Sequence, residues 1–171
     1  FISTRNQKKR SRTIGYYLDS SMTAGISSPY YSMIFNAIEK EASANSYSVI
    51  YFSDSSESKL QSTLLKLDGV IASCLPRVEE TIQVIKRTVP VVVIDNASAD
   101  KSIPSVIIDD FNSYVQSVDY VTSLGHQRIG FMCGLTDSDI GNNRFAGYAH
   151  GLKKHNITLD PALVFKGNYS F

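Results

Sequence analysis

Side-chain catalysis needs a nucleophile beside a base, a metal cluster or paired carboxylates, and this 171-residue chain is poor in all three. Its three histidines are His126, His150 and His155. His126 stands in a Gly-His turn entering an apolar run, a place for capping or packing rather than proton transfer. His150 and His155 fall on or after an amphipathic stretch, where solvation is expected. Cys74 and Cys133 are far apart, without Cys-x-x-Cys or Cys/His ligand spacing, and read as reduced core thiols. Asp109-Asp110 invites a metal reading. Adjacent carboxylates at a helix start are, however, explained by the helix dipole, and no second acidic pair follows at ligand spacing. Neither the G-x-x-x-x-G-K-S/T loop nor G-x-G-x-x-G occurs, which counts against nucleotide-dependent chemistry. Enzyme, metal site and cofactor are therefore not expected.

Composition sets the bounds. At 43% hydrophobic and 19% charged residues, the chain is ordinary for a folded domain and long enough for one full core or two small lobes. No apolar run approaches the length of a membrane span, and the start, FISTRNQKKRSR, is basic without the apolar region of a signal peptide, so a cytoplasmic location is expected. Arg5, Lys8, Lys9, Arg10 and Arg12 hold five of the 17 basic residues; from Thr13 onward 12 basic residues face 16 acidic ones. Such a leader suits attraction to phosphates, or forms a solvated tail.

The elements that would position a binding site alternate. Residues 13–18 (TIGYYL), 47–52 (YSVIYF), 67–72, 90–95 (PVVVID), 105–108 and 128–133 read as strands, and 163–166 as a further one. Ser28-Pro29 is a cap followed by proline at the first helical position, and Tyr31, Ile34, Phe35, Ile38 and Ala42 recur at helical spacing up to a stop at Asn45. A short helix follows Ser56, a third covers 76–87 with Val78, Ile82 and Ile85, and a fourth starts at Asp109-Asp110 with Tyr114, Val118 and Val121. Gly125 suits the left-handed stop of that helix, and a fifth helix covers 142–154 with Phe145, Tyr148 and Leu152. Alternation with short connections implies an α/β fold, a doubly wound parallel sheet of Rossmann-like type. Open sheets of this kind bind ligands beyond the carboxyl ends of their strands, which nominates residues 19–31, 53–56, 74–77 and 95–97, with 134–144 as the matching rim of a second lobe.

The wording of several segments goes further. T-I-G, S-P-Y-Y-S, L-D-G-V-I, P-V-V-V-I-D, D-D-F-N-S-Y, L-G-H-Q-R-I-G-F and N-R-F-A-G-Y together resemble the effector-binding region of LacI-type transcriptional regulators, from about Arg12 to the end. The resemblance implies a periplasmic-binding-protein-like fold with a first lobe at 13–108, a crossover and partial second lobe at 109–171, and a linker remnant at 1–12. It implies a small effector, a sugar before a nucleobase, held in a cleft between the lobes, and a homodimeric repressor that meets operator DNA through a helix-turn-helix not carried by this chain. On that resemblance Tyr30 and Tyr31 match aromatics lining the cleft, Asp95 a polar contact after the fourth strand, and Arg144 an arginine reaching in from the second lobe. The basic residues from Arg5 to Arg12 would lie near DNA. A periplasmic-type sugar-binding protein is the alternative, disfavoured by a basic leader where a signal peptide would stand. Three features depart from the family's pattern: the loop 19–28 is longer, the helix after Ser56 is shorter, and Ser113 replaces a common glycine.

Overall fold

A computed structural model describes residues 11–19, 24–53, 56–73, 79–134 and 139–167. Arg5, Lys8, Lys9, Arg10, Cys74 and the expected start of the third helix near Pro76 lie outside the described residues. The chain forms two compact units, Phe1–Ile107 and Ile108–Phe171.

In the first unit, β1 (Thr13–Leu18), β2 (Ser48–Phe52), β3 (Gly69–Ser73), β4 (Val91–Ile94) and β5 (Ser105–Val106) form one sheet in the order β2-β1-β3-β4-β5, every pair parallel. Three helices alternate with them: α1 (Pro29–Ala44), α2 (Glu57–Leu64) and α3 (Glu79–Thr88). Successive residues of β1 serve opposite faces. Tyr17 joins Leu60, Leu64, Ile82 and Ile85 in the core under α2 and α3, whereas the Tyr16 ring meets Phe35 of α1 and Tyr51 of β2. Helices therefore cover both faces, as the alternation of elements requires. Ile82 and Ile85 are fully buried, each contributing about 1.5–3 kcal/mol in removing apolar surface from water.

α1 starts at Pro29 after Ser28 and stops at Asn45, as its residues imply, although Ser28 makes no side-chain capping bond; Asn45 donates its amide to Glu41 O, and the left-handed residue that follows is Ser46 (φ 60°). Pairing of β5 with β4 ends at Val106, so Ile107 and Ile108 fall outside the strand, exposed like Val106. Arg12 is also exposed; its backbone N–H and that of Ser11 donate to the Asp68 carboxylate.

The second unit contains α4 (Asp110–Ser123), β6 (Phe131–Cys133), α5 (Asp139–Lys154) and β7 (Val164–Lys166), with β6 and β7 paired in parallel. Gly125 ends α4 region in the left-handed conformation (φ 90°). Its core is Val118, Phe131, Cys133, Tyr148 and Leu152, with the Phe131 and Tyr148 rings stacked at 4.9 Å and Tyr148 Oη donating to Ile129 O. Cys133 is buried as a thiol, while His126 is exposed and His155 approaches the Asp119 carboxylate at 2.6 Å. Two glycines of α5 let α4 come close. A Cβ on Gly147 would lie 2.2 Å from Phe111 O, and one on Gly151 would lie 2.7 Å from the Val118 Cβ.

This crossing yields a test whose sign is informative. In a free helix glycine to alanine gains about 1 kcal/mol, but here the methyl meets backbone, so Gly147→Ala should destabilise by about 1–3 kcal/mol in urea unfolding. A raised unfolding midpoint would show that α4 and α5 are not packed this closely.

Candidate functional site

The register Leu18↔Ser73↔Ile94 sets the ends of β1, β3 and β4 side by side, so the residues that leave them share one rim. Asp95 is the first residue beyond β4. It adopts a left-handed backbone (φ 73°), uncommon for a residue with a side chain, and its N–H donates to Val106 O at 3.1 Å. Its carboxylate faces the start of α1: Tyr30 Oη donates to Asp95 Oδ1 at 2.6 Å, and Ser73 Oγ to Asp95 Oδ2 at 3.4 Å. Beneath Ser73, the Tyr16 hydroxyl lies 3.2 Å away. Burial pushes the Tyr16 phenol up from its ordinary range; its hydrogen bond with Ser73 opposes this, and the negative charge of Asp95 adds to it.

Tyr30 and Tyr31 divide the labour. Tyr30 is 48% exposed and presents an aromatic face at the rim, whereas Tyr31 is 9% exposed and stands edge-on to it at 5.1 Å between ring centroids. An aromatic face beside a carboxylate is suited to an apolar ring surface edged with hydroxyl or amino donors.

The loop that carries Asp95 is fastened to α3. Buried Ser98 donates to Glu79 Oε1 at 2.8 Å, Gln83 bridges Glu79 and Asp100, and Lys86 binds both Asp100 and Ser102. Burial alone would raise Glu79, but hydrogen bonds from Ser98, Gln83 and the backbone of Ala99 and Asp100 outweigh it and hold the carboxyl below its usual range. Lys86 and then Ser102 hold Asp100 well below it too. A carboxylate so lowered stabilises the fold above its unfolded pKa and loses that contribution as pH falls through the folded one, so this clasp is complete at neutral pH and weakens in acid.

Arg144 belongs to the second unit, on α5. Its Nε donates to Asp110 Oδ1 at 2.7 Å, with the arginine 30% and the aspartate 9% exposed at the side chain. The adjacent carboxylates thus do different work. Asp109 caps α4, accepting from the backbone N–H and the side-chain amide of Asn112, which lower its carboxyl. Asp110 orients an arginine 34 residues away. Tyr30, Tyr31 and Asp95 are brought together within the first unit, and Arg144 is placed within the second. Three further residues escaped the sequence reading: Asp110, taken with Asp109 as a helix-dipole residue, Ser73 at a strand end, and Tyr16, read as one of a run of apolar strand residues. Their partners are distant in sequence, so no local spacing announces them. Among the described residues, no group of three His, Cys, Asp or Glu side chains is placed to hold a metal ion, and no helix is long and apolar enough to cross a membrane.

The two carboxylates are separable by mutation. Asp109→Ala should lower stability through the loss of a helix cap. Asp110→Ala should cost more, since it removes the carboxylate that Arg144 Nε donates to, discounted from the full cost of a broken buried pair because Arg144 is partly solvated. Chemical denaturation of both variants checks the order; equal losses would mean that the ion pair is worth no more than the cap.

The family model described as "Periplasmic binding proteins and sugar binding domain of LacI family" matches residues 13–166. The HTH-type transcriptional repressor CytR of Escherichia coli K12 is 27% identical over 154 residues, covering 85% of this chain and 45% of that protein. The HTH-type transcriptional repressor PurR of Pectobacterium carotovorum is 25% identical over 150 residues, covering 82% of this chain and 44% of that protein. The crystal structure of the transcription regulator CcpA of Lactococcus lactis superposes with a TM-score of 0.70 at 28% identity, covering 92% of this chain and 59% of that one. This chain therefore spans less than half the length of those curated relatives. With a matching family model over nearly its whole length and the parallel α/β architecture to go with it, the chain belongs to the periplasmic-binding-protein and LacI-type sugar-binding-domain family.

Proposed function

We propose that this chain is the effector-sensing region of a LacI-type repressor that responds to a small neutral, hydroxyl-rich molecule, a sugar before a nucleobase. The observation that carries the reading is the pairing of the Tyr30 ring with the Asp95 carboxylate at the carboxyl rim of the sheet. Open parallel sheets take their ligands at that rim. Tyr30 offers a stacking face, with Tyr31 behind it, and Asp95 offers charge-assisted acceptance of a ligand hydroxyl. Arg144, steered by Asp110, supplies a donor for a ligand oxygen. A sugar phosphate would gain from Arg144 but be repelled by Asp95, and ranks below a neutral sugar.

In the complete protein the effector would alter how a homodimer presents its DNA-binding domains to an operator, with the basic residues Arg5 to Arg12 close to the phosphates, in the cytoplasm. The repressors among the relatives support a regulator over a plain sugar-binding protein, and their kind speaks for binding rather than turnover.

The test is a thermal-shift screen of the complete protein against neutral mono- and disaccharides, nucleosides and nucleobases, followed by calorimetry. Asp95→Ala and Arg144→Ala should each weaken the stabilising compound by about 1.5–3 kcal/mol, the worth of a hydrogen bond to a charged group, with the fold retained. Unchanged affinity in both variants would remove these residues from the site.

A further inference from the structure

Ser73 and Tyr16 lie too deep to meet a ligand, yet both are tied to Asp95. Tyr16 is fully buried and Ser73 is 1% exposed. The order of protons along the chain follows from what each group can do. An ionised carboxylate only accepts, so at Asp95 Oδ2 the proton belongs to Ser73. Having given its only proton, Ser73 Oγ must accept from Tyr16. Tyr30 likewise gives its proton to Asp95 Oδ1. Every proton in this network points toward the Asp95 carboxylate, which meets its surroundings as an acceptor. Donation into a carboxylate polarises the Tyr30 oxygen further.

We propose that Ser73, backed by Tyr16, is a positioning residue for effector recognition: a buried hydroxyl relay that fixes the Asp95 carboxylate, so that this rim meets the ligand with acceptors and selects a donating hydroxyl or amino group. The proposal rests on the reading that Asp95 contacts the effector. It accounts for a serine rather than an apolar residue at the buried end of β3, where an isolated hydroxyl would carry a desolvation cost without return. It also states the specificity in chemical terms: a ligand that lacks the donor facing Asp95, or carries phosphate there, is rejected.

The experiment uses the complete protein and the neutral sugar or nucleoside that stabilises it most in the screen above, together with its singly deoxygenated analogues. In the wild type, one analogue should bind about tenfold more weakly than the parent compound, marking the hydroxyl that donates to Asp95. In Ser73→Ala the parent compound should weaken by about five- to tenfold while that analogue is unaffected, so the discrimination collapses. Tyr16→Phe, which keeps the ring, should reduce the discrimination in the same direction, and Ser73→Thr should restore it. Equal weakening of parent compound and analogue in Ser73→Ala would reveal a merely structural role and overturn the proposal, as would unchanged discrimination. A compound that binds equally well to wild type and Asp95→Ala would instead overturn the reading on which it rests.

Discussion

Parallel pairing is the constraint from which the first unit follows. When all strands run the same way, every connection must cross back over the sheet, three of the four here as a helix and the fourth as the loop between β4 and β5, and every strand end is delivered to one edge. The register of β1, β3 and β4 then leaves no choice about the neighbours of Asp95: Ser73 ends the adjoining strand, Tyr16 lies below it on β1, and Tyr30 arrives with the helix that follows β1. A chemically sparse sequence is thereby given one place where an aromatic face, a carboxylate and buried hydroxyls converge.

That rim is held rather than merely placed. Asp95 keeps a left-handed backbone, a conformation that costs about 1–3 kcal/mol in a residue with a Cβ and persists only where the surroundings over-determine it. Here the surroundings are the Val106 carbonyl on one side and the clasp of Glu79, Gln83 and Lys86 on the loop that follows. The second unit treats its charged residue in the same way, with Asp110 fixing Arg144 across the tight crossing that Gly147 and Gly151 permit.

Much of this architecture was legible in the residues. Runs of β-branched, aromatic and other apolar residues located the strands, and apolar stripes at helical spacing located the helices, because burial dictates them; Gly125 marked the end of α4 because its backbone conformation excludes most other residues. A boundary slipped where tertiary pairing decides: β5 stops at Val106 because β4 offers no further partner, whereas α1 ends at Asn45 as its residues imply. At the rim, the side chains suggested by the family resemblance could be named, but not their partners. Asp110 with Arg144 and Ser73 with Asp95 meet only after folding, across 34 and 22 residues, and neighbouring Asp109 and Asp110 look alike in sequence while one caps a helix and the other orients an arginine.

The central claim is that the rim formed by Tyr30 and Asp95 is where the effector is recognised. The most direct measurement is a crystal structure of the complete protein with the neutral sugar or nucleoside that stabilises it most. The ligand ring should lie against Tyr30 with a hydroxyl or amino group donating to the Asp95 carboxylate, and Ser73 should remain on the far oxygen. A ligand bound at full occupancy and touching neither Tyr30 nor Asp95 would contradict it.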